Sequence, residues 1–172
     1  MRLKTGSLLR GIVLAAASLF VVAGCKKSSN SSSNNNNSEQ MTAMIGSTTF
    51  QTNTVVGEYS QAASLYEVGG YSIKSGDTAI LSVYFNPPQQ ILVPVSSDTA
   101  FIDVEYEDSK TGLTYNGGQL GGGRSILTIL ALDTVLLKVN GTFSGILYNT
   151  NGTSDSVAVT NGQFSSTYII GP

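Results

Sequence analysis

Histidine and tryptophan are both missing from the 172 residues, and cysteine occurs once. Without histidine there is no Ser-His-Asp triad, no histidine-activated thiol and no histidine-ligated zinc or iron site. With one cysteine there is no intrachain disulfide. Charge is sparse too. Beyond residue 40 only Lys74, Lys110, Arg124 and Lys138 stand against ten carboxylates, a net charge near −6. A surface of that sign repels phosphate backbones, which argues against nucleic acid as a partner. Helix signals are nearly absent. The one candidate is "SQAASLYEV", where Ser60 can cap a turn or two before Gly69 and Gly70 stop it.

What is present divides into three parts. Residues 1–24 read as an export signal: Arg2, Lys4 and Arg10 precede an apolar run from Ile12 to Ala23. As a helix that run rises about 18 Å, short of the ~30 Å hydrocarbon core, so it is a signal segment and not a span. Residues 25–40 follow as Cys25 and a Ser/Asn-rich stretch with too few apolar groups to offset its ordering entropy, a disordered tether. Such a tether reaches about 20 Å on average and ~50 Å when taut. Residues 41–172 have the length of one domain with a real core.

The end of the apolar run, Val22-Ala23-Gly24-Cys25, resembles the bacterial lipoprotein box. The resemblance implies that Cys25 becomes the N-terminus and carries diacylglycerol and an N-acyl chain such as palmitate, anchoring the protein in the outer membrane. Two or three chains hold firmly where one binds reversibly. A thioether sulfur neither attacks a substrate nor pairs in a disulfide, so no other cofactor or thiol chemistry is expected. In Bacteroidota lipoproteins an acidic stretch after the cysteine resembles a surface-export signal. Here Lys26 and Lys27 follow, which favours the periplasmic face over the cell surface.

In the domain, apolar residues alternate with polar ones at Ala79–Phe85, Ile102–Glu107 and Ser156–Thr160, the period of strands with one dry and one wet face. "SILTILAL", Ser125–Leu132, is apolar on both parities and predicts a central strand covered on two sides. Asn-Gly pairs at 116, 140, 151 and 161 punctuate the runs. With a turn at "NTNGTSD", 149–155, the flanking strands pair with residue numbers summing to about 304, Gly141 opposite Gln163 and Gly162 opposite Thr142. Glycine inside a strand marks a bulge, so a kink is expected there. The fold class is all-β: an antiparallel β-sandwich, with a flattened or lipocalin-like barrel as the alternative.

The closing segments "SILTILALDT", "VNGTFSG" and "VAVTNGQFSS" resemble a family of Bacteroidota lipoproteins of unknown function, whose pattern carries Gly-Thr-Phe-Ser and then Thr-x-Gly-x-Phe. The opening "MTAMIGSTTFQTN" is similar to the family's first strand pair. That likeness implies an antiparallel β fold and no established activity.

Four carboxylates, Asp103, Glu105, Glu107 and Asp108, form the best lead to chemistry. Same-face neighbours on a strand lie about 6 to 7 Å apart, compatible with glycoside hydrolysis. The same oxygens suit calcium. The expectation is nevertheless a solvated strand face that guards an edge. "GQLGGGRS", 118–125, matches phosphate-loop spacing with Arg124 for lysine but lacks the strand and helix context, and reads as a glycine turn. Asp followed by Ser/Thr and an apolar residue occurs at Thr78, Thr99, Thr134 and Ser156. The triplet resembles the O-glycosylation acceptor of exported Bacteroidota proteins; it is also how a strand starts. Eight tyrosines are spread over many segments, as rim-of-core residues are. The expected function is a non-catalytic binding or structural domain, membrane-anchored, with an envelope protein or glycan as partner. The alternatives are a carbohydrate-active enzyme using Asp103, Glu105 and Glu107, or a carrier of a lipophilic ligand.

Overall fold

Leu81, Val83 and Phe85 are buried while Ile80, Ser82 and Tyr84 point to the other face, as period two requires. Alternation of this kind builds an all-β domain in a computed structural model that describes residues 39–172 apart from Ser75, Leu120, Thr153 and Ser154. The export signal, Cys25 and most of the tether lie outside the described residues. Eleven strands follow in order: β1 (Gln40–Ile45), β2 (Thr48–Thr52), β3 (Val55–Ser60), β4 (Leu65–Lys74), β5 (Asp77–Phe85), β6 (Val95–Ser96), β7 (Ile102–Asp108), β8 (Leu113–Asn116), β9 (Arg124–Asp133), β10 (Lys138–Asn149) and β11 (Ser156–Gly171).

They form one sheet in the order β2-β1-β11-β3-β4-β5-β7-β8-β10-β9-β6, with β10 and β11 also paired to each other. That extra pairing closes a circuit from β11 through β3, β4, β5, β7, β8 and β10 back to β11. Its two sides meet in the core: Phe85 of β5 stands 6.3 Å from Phe164 of β11, and Tyr66 of β4 meets Tyr168 of β11 edge-on at 5.2 Å. The all-β expectation holds, and the single sheet returns on itself where β10 pairs with β11.

One pair departs from the expected antiparallel pattern. β3 runs parallel to β11, Gly57–Ser60 beside Tyr168–Gly171. β2 already runs in the direction of β11, since each is antiparallel to β1. Only Asn53 and Thr54 separate β2 from β3, so β3 keeps that direction.

Three local expectations are corrected. Ser60–Val68 is not helical: residues 61–64 form the β3–β4 turn, where Ser60 Oγ accepts the Ala63 N–H at 3.3 Å. β9 is not covered on both sides, for Ile126 and Leu130 are exposed while Leu127 and Ile129 are buried. Its outer neighbour is only the two-residue β6. Nor is β7 an edge strand, since it pairs with both β5 and β8. The β10–β11 register is as expected from Gly145–Val159 to the turn, and a bulge shifts it by one beyond, so that Gly141 faces Phe164 and Phe143 faces Gly162.

Candidate functional site

Asp103, Glu105 and Glu107 of β7 face away from the core, and cross-strand pairing extends their row. Asp103 lies beside Tyr84, which lies beside Glu67. Glu105 sits between Ser82 and Asn116, and Glu107 between Ile80 and Thr114. A solvated face is expected here, and Asp103 overturns it: it is fully buried. The cover is the β8–β9 loop. A Cβ on Gly118 would strike the Ile102 carbonyl and come within 2.8 Å of the Asp103 carboxyl carbon, so the loop lies on β7 only because glycine stands there. Gly121 packs in the same way on Asn116. The glycine run is thus a lid on polar groups and not a loose turn, while Arg124 beyond it pairs with Asp98 at 3.1 Å in solvent.

Burial raises Glu105 to about 7, and the neighbouring Glu107 carboxyl, hydrogen-bonded to it, pushes in the same direction. Asn116 opposes this: its Nδ2 donates to Glu105 Oε2 at 3.5 Å. Glu67 is raised as well, by burial first and by Glu58 second, against a hydrogen bond from Tyr84. The glycine loop thus covers Asp103 and Asn116, and beside them burial holds two carboxyls of the row, Glu67 and Glu105, protonated to higher pH. Neither Asp103, Glu105 nor Glu107 lines a described cavity, and Asp108 lies apart, on a 130 Å³ recess with Lys74 and Asp77. Among the described residues no group of three or more histidine, cysteine, aspartate or glutamate side chains is placed to hold a metal ion.

The larger recess lies elsewhere. A cavity of about 560 Å³ opens between the β5–β6 segment and β9. Its floor is core: Phe85, Ile102, Leu127 and Ile129. Its rim carries Asn86, Gln89, Gln90 and Thr99 beside Pro87, Pro88 and Phe101. No ionisable side chain lines it among the described residues, so it offers apolar contact and neutral hydrogen-bonding groups, not acid–base chemistry. The residues "NPPQQ" carry no motif of their own; their signal is Pro87-Pro88, ahead of which β5 ends, and residues 86–94 cross the opening outside any strand.

The hydroxyls of the Asp-Ser/Thr triplets are scattered. Thr78 and Ser156 lie at the starts of β5 and β11, whereas Thr99 and Thr134 sit in turns. Thr99, Thr134 and Ser156 are exposed and Thr78 is half-buried. The tyrosines behave as rim and core: Tyr59 stacks on Tyr66 at 4.5 Å and Tyr66 on Phe85 at 5.2 Å.

What the fold and the two sites define is a class, an all-β domain with an apolar-floored cavity and a partly buried carboxyl row. No protein-family model, curated protein or solved structure matches the chain.

Proposed function

We propose that the protein is a lipid-anchored bacterial envelope lipoprotein, of the Bacteroidota type it resembles, whose β domain binds an uncharged, largely apolar ligand without transforming it. The cavity carries this reading. Its volume of about 560 Å³ falls in the range of small-molecule sites, its floor is aliphatic and aromatic, and its polar groups are amides and a hydroxyl at the rim. The carboxylates that would serve a carbohydrate-active enzyme are outside it, and Glu105 and Glu107 are hydrogen-bonded together instead of flanking a cleft. A glycan or protein face built from tyrosine draws less support, because Tyr66 and Tyr168 are buried in the core. The anchor, Cys25, holds the domain on the periplasmic face of the outer membrane.

Titration with the neutral probe N-phenyl-1-naphthylamine tests it. Saturable fluorescence enhancement, displaced by long-chain alcohols, is expected. Ala100 lines the cavity, and Ala100→Trp should weaken the probe by about tenfold or more while leaving the circular dichroism spectrum unchanged. Unsaturable binding, or equal affinity in the variant, refutes the reading.

A further inference from the structure

The chain leaves the domain toward Cys25 at a defined place. The Glu39 carboxylate accepts hydrogen bonds from the Thr167 hydroxyl and, at 3.4 Å, from its N–H. Thr167 pairs with Lys138, the first residue after the β9–β10 turn. That turn holds two aliphatic side chains outward. Asp133 Oδ1 accepts the N–H groups of Val135 at 2.9 Å and Leu136 at 2.8 Å, Leu137 takes φ +51°, and its carbonyl accepts the Tyr168 N–H at 2.8 Å. Val135 is left 87% exposed and Leu136 63%. Two aliphatic side chains fixed in water by an ordered turn contribute nothing to the core.

A second apolar tip stands at the same end of the sheet. β5 and β9 run in one direction through the pairings, so the segment leaving β5 and the turn leaving β9 lie at a common end. In that segment Leu92 donates its N–H to Ile129 O at 2.8 Å, and Ile91, Leu92 and Val93 are exposed. Val93 also lines the cavity. The carboxylate of the turn, Asp133, is occupied by its two backbone donors, and Lys138 at the base supplies a cation of the sign that headgroup phosphates attract.

We propose that this end of the domain docks on the bilayer, with Val135 and Leu136 among the acyl chains and Ile91–Val93 at the interface, so that the cavity draws its ligand from the lipid. The proposal rests on the reading of Cys25 as a lipid anchor. Tips of two and three residues are too small for a stable protein interface, which buries about 800 Å² per partner, but they suit an interfacial contact. The anchor supplies the remaining binding and a high local concentration of bilayer next to the turn.

The absence of tryptophan makes the test direct. Full-length lipidated protein is reconstituted in phosphatidylcholine vesicles with brominated acyl chains, carrying either Leu136→Trp or, in the β7–β8 turn at the opposite end, Thr111→Trp. Docking predicts co-flotation of both variants, about twofold quenching of L136W and none of T111W. Val135→Trp repeats the measurement should L136W fold poorly. Flotation with both positions unquenched, or with both equally quenched, overturns the docking. Failure to float overturns the anchor reading instead, and the proposal with it.

Discussion

Glu105 makes the partly buried row measurable at the scale of a single residue. In the unfolded chain a glutamate titrates near ~4.3, and in the fold Glu105 titrates at about 7. Between those values the native state keeps a proton that the unfolded chain releases, so rising pH favours unfolding. The contribution is fully present below about pH 4 and lost as pH rises through about 7. The gap corresponds to about 3.7 kcal/mol, reduced to about 1–2 kcal/mol by partial access of water. Glu105→Gln keeps the shape and cannot ionise. It is expected to match the parent below about pH 4 and to exceed it by about 1–2 kcal/mol near about pH 8 in urea unfolding. A parent stability that does not fall across that window would refute the account. The sequence placed Asp103, Glu105 and Glu107 on one face correctly, because period two is local. It could not show that Asp103 is buried, because its cover comes from Gly118 further along the chain, where a side chain would strike it.

At the scale of the element, β10 and β11 show what pattern alone can determine. Turn position and alternation gave their register, and the repeated Asn-Gly gave the kink. The displacement of one residue past the bulge lay beyond it, since which residue is extruded depends on how Phe143 and Phe164 pack, with centroids 6.2 Å apart. Asn161 marks the place with φ +53°, a conformation asparagine tolerates and a β-branched residue does not. Asn161→Val should therefore cost about 1–2 kcal/mol, read as a lower urea midpoint, while Asn161→Gly stays within about 0.5 kcal/mol. Equal effects would mean that side-chain contacts, and not φ, select the residue. The β9–β10 turn poses a related choice: a glycan on Thr134 would keep Val135 off a bilayer. Intact mass of the native protein decides it, and docking predicts a mass explained by lipid without sugar at that residue.

The whole molecule depends on its circuit being closed, and the four-residue pairing of β3 with the end of β11 is the one parallel join among the described strands. β3, β4 and β5 are local hairpins, and β9, β10 and β11 are another set; neither buries both of its faces alone. Tyr168 makes the closure in three ways at once. It pairs with Gly57, it packs edge-on against Tyr66, and its N–H reaches Leu137 O in the turn before β10. Removing residues 168–172 should then lower stability by about 4 kcal/mol or more, the sum of an aromatic cavity and lost backbone bonds. Hydrogen exchange should show the loss first in β3 and β4, with β9 and β10 protected longest. Ile170→Ala provides the comparison, because Ile170 is 51% exposed and its truncation leaves the backbone pairing intact. That change should cost about 0.5 kcal/mol or less. Uniform loss of protection in the truncated chain would show that the two strand sets fold as one unit and that the circuit does not divide at β3.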